Sequence, residues 1–170
     1  MKLFLFISLS IVLTSCWPSS VSLVDSGSMP PEWKTFTVKT LDLEAPNAPN
    51  NLASVLTEEI KDGIQNNTRL LINPKAGAGE ILIEGVVTSY AAAPIAIQQG
   101  DEAAKNRLSM SVNFTIYISK PKEDKMTLTS SQFIDFDPIT TDFSANEVSL
   151  YEEINKKIVQ DVINKLLSNW

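Results

Sequence analysis

Histidine is missing altogether from these 170 residues, and cysteine occurs once, as Cys16. Without a histidine, neither a Ser-His-Asp nor a Cys-His arrangement can form. General acid–base work would fall to carboxylates, lysines or hydroxyls, and zinc sites built on His or Cys ligands are excluded too. A single thiol cannot close an internal disulfide. Glycine is scarce at 6 residues, and none stands in a P-loop, a GxGxxG turn or a GxSxG elbow. Positive charge is in deficit: 14 Lys and Arg face 20 Asp and Glu, a formal net charge of −6. That balance argues against general binding to nucleic acid. After the N-terminus, no stretch approaches the roughly 20 apolar residues that a membrane-spanning helix needs.

The N-terminus is different. Lys2 is followed by the apolar run Leu3-Phe4-Leu5-Phe6-Ile7-Ser8-Leu9-Ser10-Ile11-Val12-Leu13, then by small Thr14 and Ser15. A charged residue, a short apolar core and small residues make up a secretion signal, expected over residues 1–15. Leu13-Thr14-Ser15-Cys16 resembles the lipobox of bacterial lipoproteins. Cys16 is therefore the expected lipidation site, with palmitate-type acyl chains anchoring the protein to a membrane. Each buried methylene is worth about 0.8 kcal/mol, so two or more such chains hold firmly.

Residues 16–33 are rich in Ser and Pro and read as the lipidated terminus and tether. A single domain is expected over 34–170, a length that supports a real core. Residues 34–41 alternate partly and suggest a first strand. Asn51 stands where a helix cap belongs, before Leu52, Val55, Leu56, Ile60 and Ile64 at helical spacing. Leu70-Leu71-Ile72 reads as a short strand. Residues 80–90 read as a longer central one, with Ile81, Ile83 and Val87 on one face and Leu82, Val86 and Tyr90 on the other. Residues 91–105 are expected to be a long connection.

The clearest pattern lies in residues 107–120. Leu108, Met110, Val112, Phe114, Ile116 and Ile118 alternate with Ser109, Ser111, Asn113, Thr115, Tyr117 and Ser119. That is a strand with one dry and one wet face. Residues 126–136 return as its hairpin partner. Ser144 and Glu147 form an S-x-x-E capping box. It opens a last helix with Val148, Tyr151, Ile154, Ile158, Val162, Leu166 and Trp170 on one stripe, widened by Val159 and Ile163. The expected fold is an α/β (α+β) two-layer sandwich: a mixed sheet of about four main strands, with two amphipathic helices on one face.

Candidate sites are few. Asp135, Asp137 and Asp142 could gather around a hard cation, but an EF-hand's glycine and closing Glu are missing, so they read as turn carboxylates and no metal is expected. Asp101-Glu102 reads as a solvated loop. Lys120, Lys122 and Lys125 read as a charged hairpin tip. Arg69, Lys105 and Arg107 are the cations most suited to clamping phosphate.

Several phrases in order give the chain a resemblance to the LPS-assembly lipoprotein family LptE, in its Bacteroidota form. They are Thr68-Arg69-Leu70, Glu84-Gly85-Val86-Val87-Thr88-Ser89-Tyr90, Pro94-Ile95-Ala96-Ile97-Gln98, Ala104-Lys105-Asn106-Arg107-Leu108, Phe133-Ile134-Asp135-Phe136-Asp137 and Ser168-Asn169-Trp170. The resemblance implies a non-enzymatic lipoprotein of the cell outer membrane, and with no acidic cluster after Cys16 until Asp25 it is expected to face the periplasm. Its partner would be the LptD β-barrel, which it plugs and helps assemble for transport of lipopolysaccharide to the outer leaflet. It also implies lipopolysaccharide as a ligand, with Lys105, Arg107 and then Arg69 as candidate contacts. No cofactor and no nucleic acid are implied. A competing expectation is a periplasmic binding lipoprotein that activates a peptidoglycan synthase or serves another transport complex. A glycan hydrolase would need two carboxylates in one cleft, about 5–10 Å apart, and nothing in the sequence marks such a pair.

Overall fold

The computed structural model describes residues 29–75, 79–95 and 105–168. The signal segment, Cys16, the tether up to residue 28, Asp101-Glu102 and Trp170 lie outside the described residues. The elements are β1 (Thr35–Val38), β2 (Asp42–Leu43), α1 (Leu52–Asn67), β3 (Leu71–Ile72), β4 (Ile81–Ile95), β5 (Lys105–Ile118), β6 (Asp124–Phe136) and α2 (Phe143–Leu167). They form one mixed sheet in the order β3-β1-β4-β5-β6, with β2 also paired to β4. β1 runs parallel to β3 and β4, while β4, β5 and β6 are successively antiparallel. The α+β sandwich with both helices on one face is therefore as expected.

The alternation in β5 decides which face is covered. Leu108, Met110, Val112 and Ile116 are fully buried, with Phe114 and Ile118 nearly so. On β6 they face Ile134, Gln132, Ser130, Leu128, Met126 and Asp124 in register. α1 covers the β1 side with Leu52, Leu56, Ile60 and Ile64. α2 covers β5 and β6 with Tyr151, Ile154, Ile158, Val162 and Leu166. Met29 and Trp33, ahead of β1, are also part of this core. The Trp33 indole N–H donates to Lys120 O at 2.8 Å.

Four local expectations need correction. First, Tyr90 does not face away from Ile81, Ile83 and Val87. A β-bulge between Val87 and Ser89 inserts Thr88 and shifts the alternation by one, so buried Tyr90 joins the core face. Second, residues 91–95 are strand rather than connection, paired through Ala93↔Arg107 to Ile95↔Lys105. The antiparallel partner outweighs alanine's low strand preference there. Third, Ser144 and Glu147 make no capping box. Asp142 is the cap and its carboxylate accepts from Ser144 N–H, while Glu147 accepts from the Tyr90 hydroxyl at 2.8 Å. Burial and that carboxylate push the Tyr90 phenol well above its ordinary range. Fourth, Val148 is 54% exposed, off the buried stripe. Asn51 does sit at the α1 cap, but its side-chain amide turns to the Tyr151 hydroxyl instead of capping.

The two helices touch at small and polar residues. A Cβ on Gly63 would lie 2.3 Å from Val159 Cγ1, so the glycine sets how close they come. One turn earlier on each helix lie Glu59 and Asn155. Glu59 Oε2 and both polar atoms of Asn155 are buried without a hydrogen-bond partner among the described residues. Burial pushes the Glu59 carboxyl above its usual 4.5; the Asn155 amide and Lys156 pull it down, and Glu152 adds to the rise. A protonated acid and a carboxamide can exchange hydrogen bonds here, whereas a carboxylate leaves the amide oxygen facing negative charge.

Two outcomes follow for stability. Gly63→Ala gains about 1 kcal/mol of helix propensity but loses more by overpacking, which costs about 1–3 kcal/mol. Urea unfolding should show a net loss, with Val159→Ala restoring most of it. Because the folded Glu59 value is raised, its favourable contribution is complete below the ordinary 4.5 and disappears as pH rises through the folded value. Glu59→Gln should therefore raise Tm at pH 7 by a few degrees, and the gain should vanish in acid.

Candidate functional surface

With both helices on one side, nothing among the described residues covers the other side of β4, β5 and β6. The centre of this open face is neutral and hydroxylated. Ser111 and Ser131 join Oγ to Oγ at 2.9 Å, Thr129 Oγ1 donates to Asn113 Oδ1 at 2.8 Å, and Thr88 Oγ1 donates to Ser111 O at 3.2 Å. The strand register sets these pairs opposite one another, so side chains satisfy side chains and the surface is pre-ordered.

At one end the face becomes cationic and aromatic. Arg107 grips Asp135 with two hydrogen bonds, Nε to Oδ1 at 2.6 Å and the terminal nitrogen to Oδ2 at 2.9 Å. Its guanidinium carbon lies 3.7 Å from the ring centre of Phe133, which is 46% exposed. Lys157, from α2, places Nζ 6.0 Å from the same ring and donates to Phe133 O at 2.8 Å. The Arg107 hydrogen bonds hold Asp135 below its usual 3.8, with further pull from Lys105 and Lys157. Arg107 is raised in turn by Asp135. Arg107 and Lys157 thus flank an exposed aromatic ring, and Lys105 adds its charge near the same carboxylate. An anionic amphiphile suits such a corner: charge for its phosphates, the ring for its apolar part.

Of the cations chosen from sequence, the fold brings Lys105 and Arg107 together and sets Arg69 apart. Arg69 donates to the backbone carbonyls of Met29 and Pro30, clasping the segment that leads into β1. It precedes β3, which lies at the Ile81 end of the sheet, whereas Arg107 faces Ala93. Twelve residues of β4 separate those ends, about 40 Å at strand rise. Sequence reasoning missed Lys157 and Phe133. Phe133 had a signal, being apolar at a wet-face position of β6; Lys157 had none, because only packing places α2 beside that strand.

The opposite end of the open face is more mixed. Lys39 pairs with Glu84 at 3.3 Å and Lys120 with Glu80 at 3.6 Å. The Thr35 hydroxyl and N–H hold Glu80 below its usual 4.5. Lys125 lies 5.5 Å from the ring centre of Tyr117, and a recess of about 510 Å³ opens there beside Leu82.

Among the described residues, no three Asp, Glu, His or Cys side chains converge as a metal site. Asp135 is bound to Arg107, Asp137 accepts from Ile139 N–H at 2.8 Å, and Asp142 caps α2. No helix among them is long and apolar enough to cross a membrane.

The depressed Asp135 value carries a sign that can be checked. The ion pair contributes above the ordinary 3.8 and is lost only as pH falls through the lower folded value. NMR titration should find Asp135 titrating below 3.8, and moving back toward it in Arg107→Ala.

Comparison with known proteins agrees with this architecture. A hypothetical protein from Chlamydia trachomatis superposes with a TM-score of 0.55 at 12% identity, covering 81% of this chain and 99% of that one. An uncharacterised lipoprotein B from Nitrosomonas europaea gives 0.52 at 16% identity, covering 89% and 92%. A protein from Xanthomonas campestris gives 0.54 at 9% identity, covering 87% and 91%. At these identities the likeness is one of fold. No curated protein sequence matches the chain. The profile of the LptE family, described as lipopolysaccharide-assembly, matches residues 38–166. The match spans both helices and nearly the whole sheet, and the chain belongs to the LptE family of lipopolysaccharide-assembly proteins.

Proposed function

We propose that this protein is a lipid-anchored subunit of the outer membrane, facing the periplasm, that partners an LptD-type β-barrel as plug and assembly factor. In that role it supports passage of lipopolysaccharide to the outer leaflet. The family match carries the reading. The surface supports it physically. A body seated in a water-lined barrel has to hydrogen-bond rather than bury grease, and the ladder of Ser111, Ser131, Asn113 and Thr129 is built that way. The work is done by contact and shape, not by covalent chemistry.

Residues 1–15 serve as the secretion signal, and acylated Cys16 holds the protein to the membrane. Lys105 and Arg107, helped by Lys157 and Phe133, are the contacts for lipid A phosphates and the apolar part beside them. Arg69 takes a lesser part, since its guanidinium already serves the Met29 and Pro30 carbonyls.

Affinity capture from detergent-solubilised envelopes tests the reading. The expected result is recovery of a large outer-membrane barrel, and loss of surface lipopolysaccharide on depletion. Recovery of a peptidoglycan synthase alone, or unchanged surface lipopolysaccharide, rejects it. Cys16→Ala should abolish labelling by radioactive fatty acid. Charge-assisted contacts are worth about 1.5–3 kcal/mol each, so the double variant Lys105→Ala/Arg107→Ala should weaken lipopolysaccharide binding at least tenfold. Asp135→Asn, which frees Arg107, should not weaken it.

A further inference from the structure

Arg107 is the guanidinium of the cationic corner, and its Nε edge is already taken. Asp135 accepts from Nε at 2.6 Å and from a terminal nitrogen at 2.9 Å. Paired hydrogen bonds of this kind are also how an arginine grips a phosphate. The carboxylate therefore stands where a ligand oxygen would bind. Arg107 and Asp135 are register partners across the β5–β6 ladder, so the backbone keeps the carboxylate within reach even when the pair opens.

The surroundings leave room for an exchange. On the β4 flank, Ala93 stands opposite Arg107 and Ala91 opposite Ser109. Both alanines are exposed, and their short side chains leave a shelf beside the guanidinium where a headgroup can lie. On the β6 flank, Phe133 holds the guanidinium carbon 3.7 Å from its ring centre. Lys157 donates to Phe133 O at 2.8 Å, which leaves part of its ammonium for a ligand oxygen. The Arg107 and Asp135 side chains retain 35% and 34% exposure. Water reaches the pair, and an ion pair open to water is weak enough to open readily.

We propose that Asp135 is a tethered competitor: it holds Arg107 until a lipid phosphate displaces it, and it takes Arg107 back when the lipid leaves. The guanidinium keeps an anionic partner throughout, so neither state leaves it bare. Affinity for the lipid is lowered by the fraction of time the pair is closed. For a weak, exposed pair the reduction is about fivefold. A surface that passes lipid onward benefits, since binding that is too tight would trap the cargo. The inference rests on the proposed lipopolysaccharide contact and adds the means of release at that same site. The rival role for Asp135 is to position Arg107 over Phe133. In that role the carboxylate would strengthen binding, so the two roles differ in sign.

Lipopolysaccharide binding to the full-length protein in detergent solution, with release followed in real time, gives the test. Asp135→Asn removes the charge and keeps the shape. It should tighten binding about fivefold, chiefly through slower release, with the fold retained by circular dichroism. Asp135→Ser should do the same, and Asp135→Glu, which keeps the charge, should return release toward the wild-type rate. Inorganic phosphate at equal phosphate concentration should leave bound lipopolysaccharide in place, because it has no apolar part to set beside Phe133. Displacement by inorganic phosphate makes the occupant a free anion and overturns the lipid exchange. Unchanged or weaker binding by folded Asp135→Asn and Asp135→Ser overturns the competitor and leaves the contact reading standing. If Lys105→Ala/Arg107→Ala binds lipopolysaccharide as wild type does, the contact reading falls and takes the competitor with it.

Discussion

One dry surface governs this molecule. The sheet can bury only one of its faces, because both helices lie on the same side and meet at Gly63 and Val159. Burial of apolar area, worth about 25 cal/mol per Å², fixes the parity of every long strand. A slip of one residue in β5 would turn Leu108 through Ile118 outward and bring Ser109 through Ser119 inward. The polarity of the open face is therefore the necessary complement of the core. The open face is thus set by the requirement to fold.

Most of the scaffold was legible because it rests on long, regular periodicity. Eleven residues of β5, Leu108 to Ile118, alternate without a break, and Tyr151, Ile154, Ile158, Val162 and Leu166 keep helical spacing. Features that depend on a partner were not legible. The bulge at Thr88 shifts parity without any glycine or proline to announce it. Ala91 to Ile95 become strand only because β5 lies beside them. Glu147 carried a local capping signal, yet it answers a tyrosine 57 residues away, which is a tertiary claim on a local motif. Asn155, polar within an apolar stripe, was visible in the sequence, but its burial beside Glu59 depends on how the helices meet.

The candidate site shows the same division. Lys105 and Arg107 are near neighbours in sequence on one strand, so sequence could pair them. Asp135, Phe133 and Lys157 come from β6 and α2, and only the strand register and helix docking assemble them. Arg69 looked equivalent as a residue type, but its carbonyl partners at Met29 and Pro30 give it a structural task far from that corner. Residue type alone could not separate an arginine on the open face from one that fastens a strap.

The outer part of β4 has a geometric consequence. Past Tyr90, whose hydroxyl is tied to α2 through Glu147, the strand presents Ala91, Ala92, Ala93 and Pro94 to solvent. With side chains so small, this stretch adds little bulk to the sheet over about 16 Å at strand rise, while β5 and β6 continue beside it. Tryptophan at position 92, opposite buried Leu108, would fill that relief.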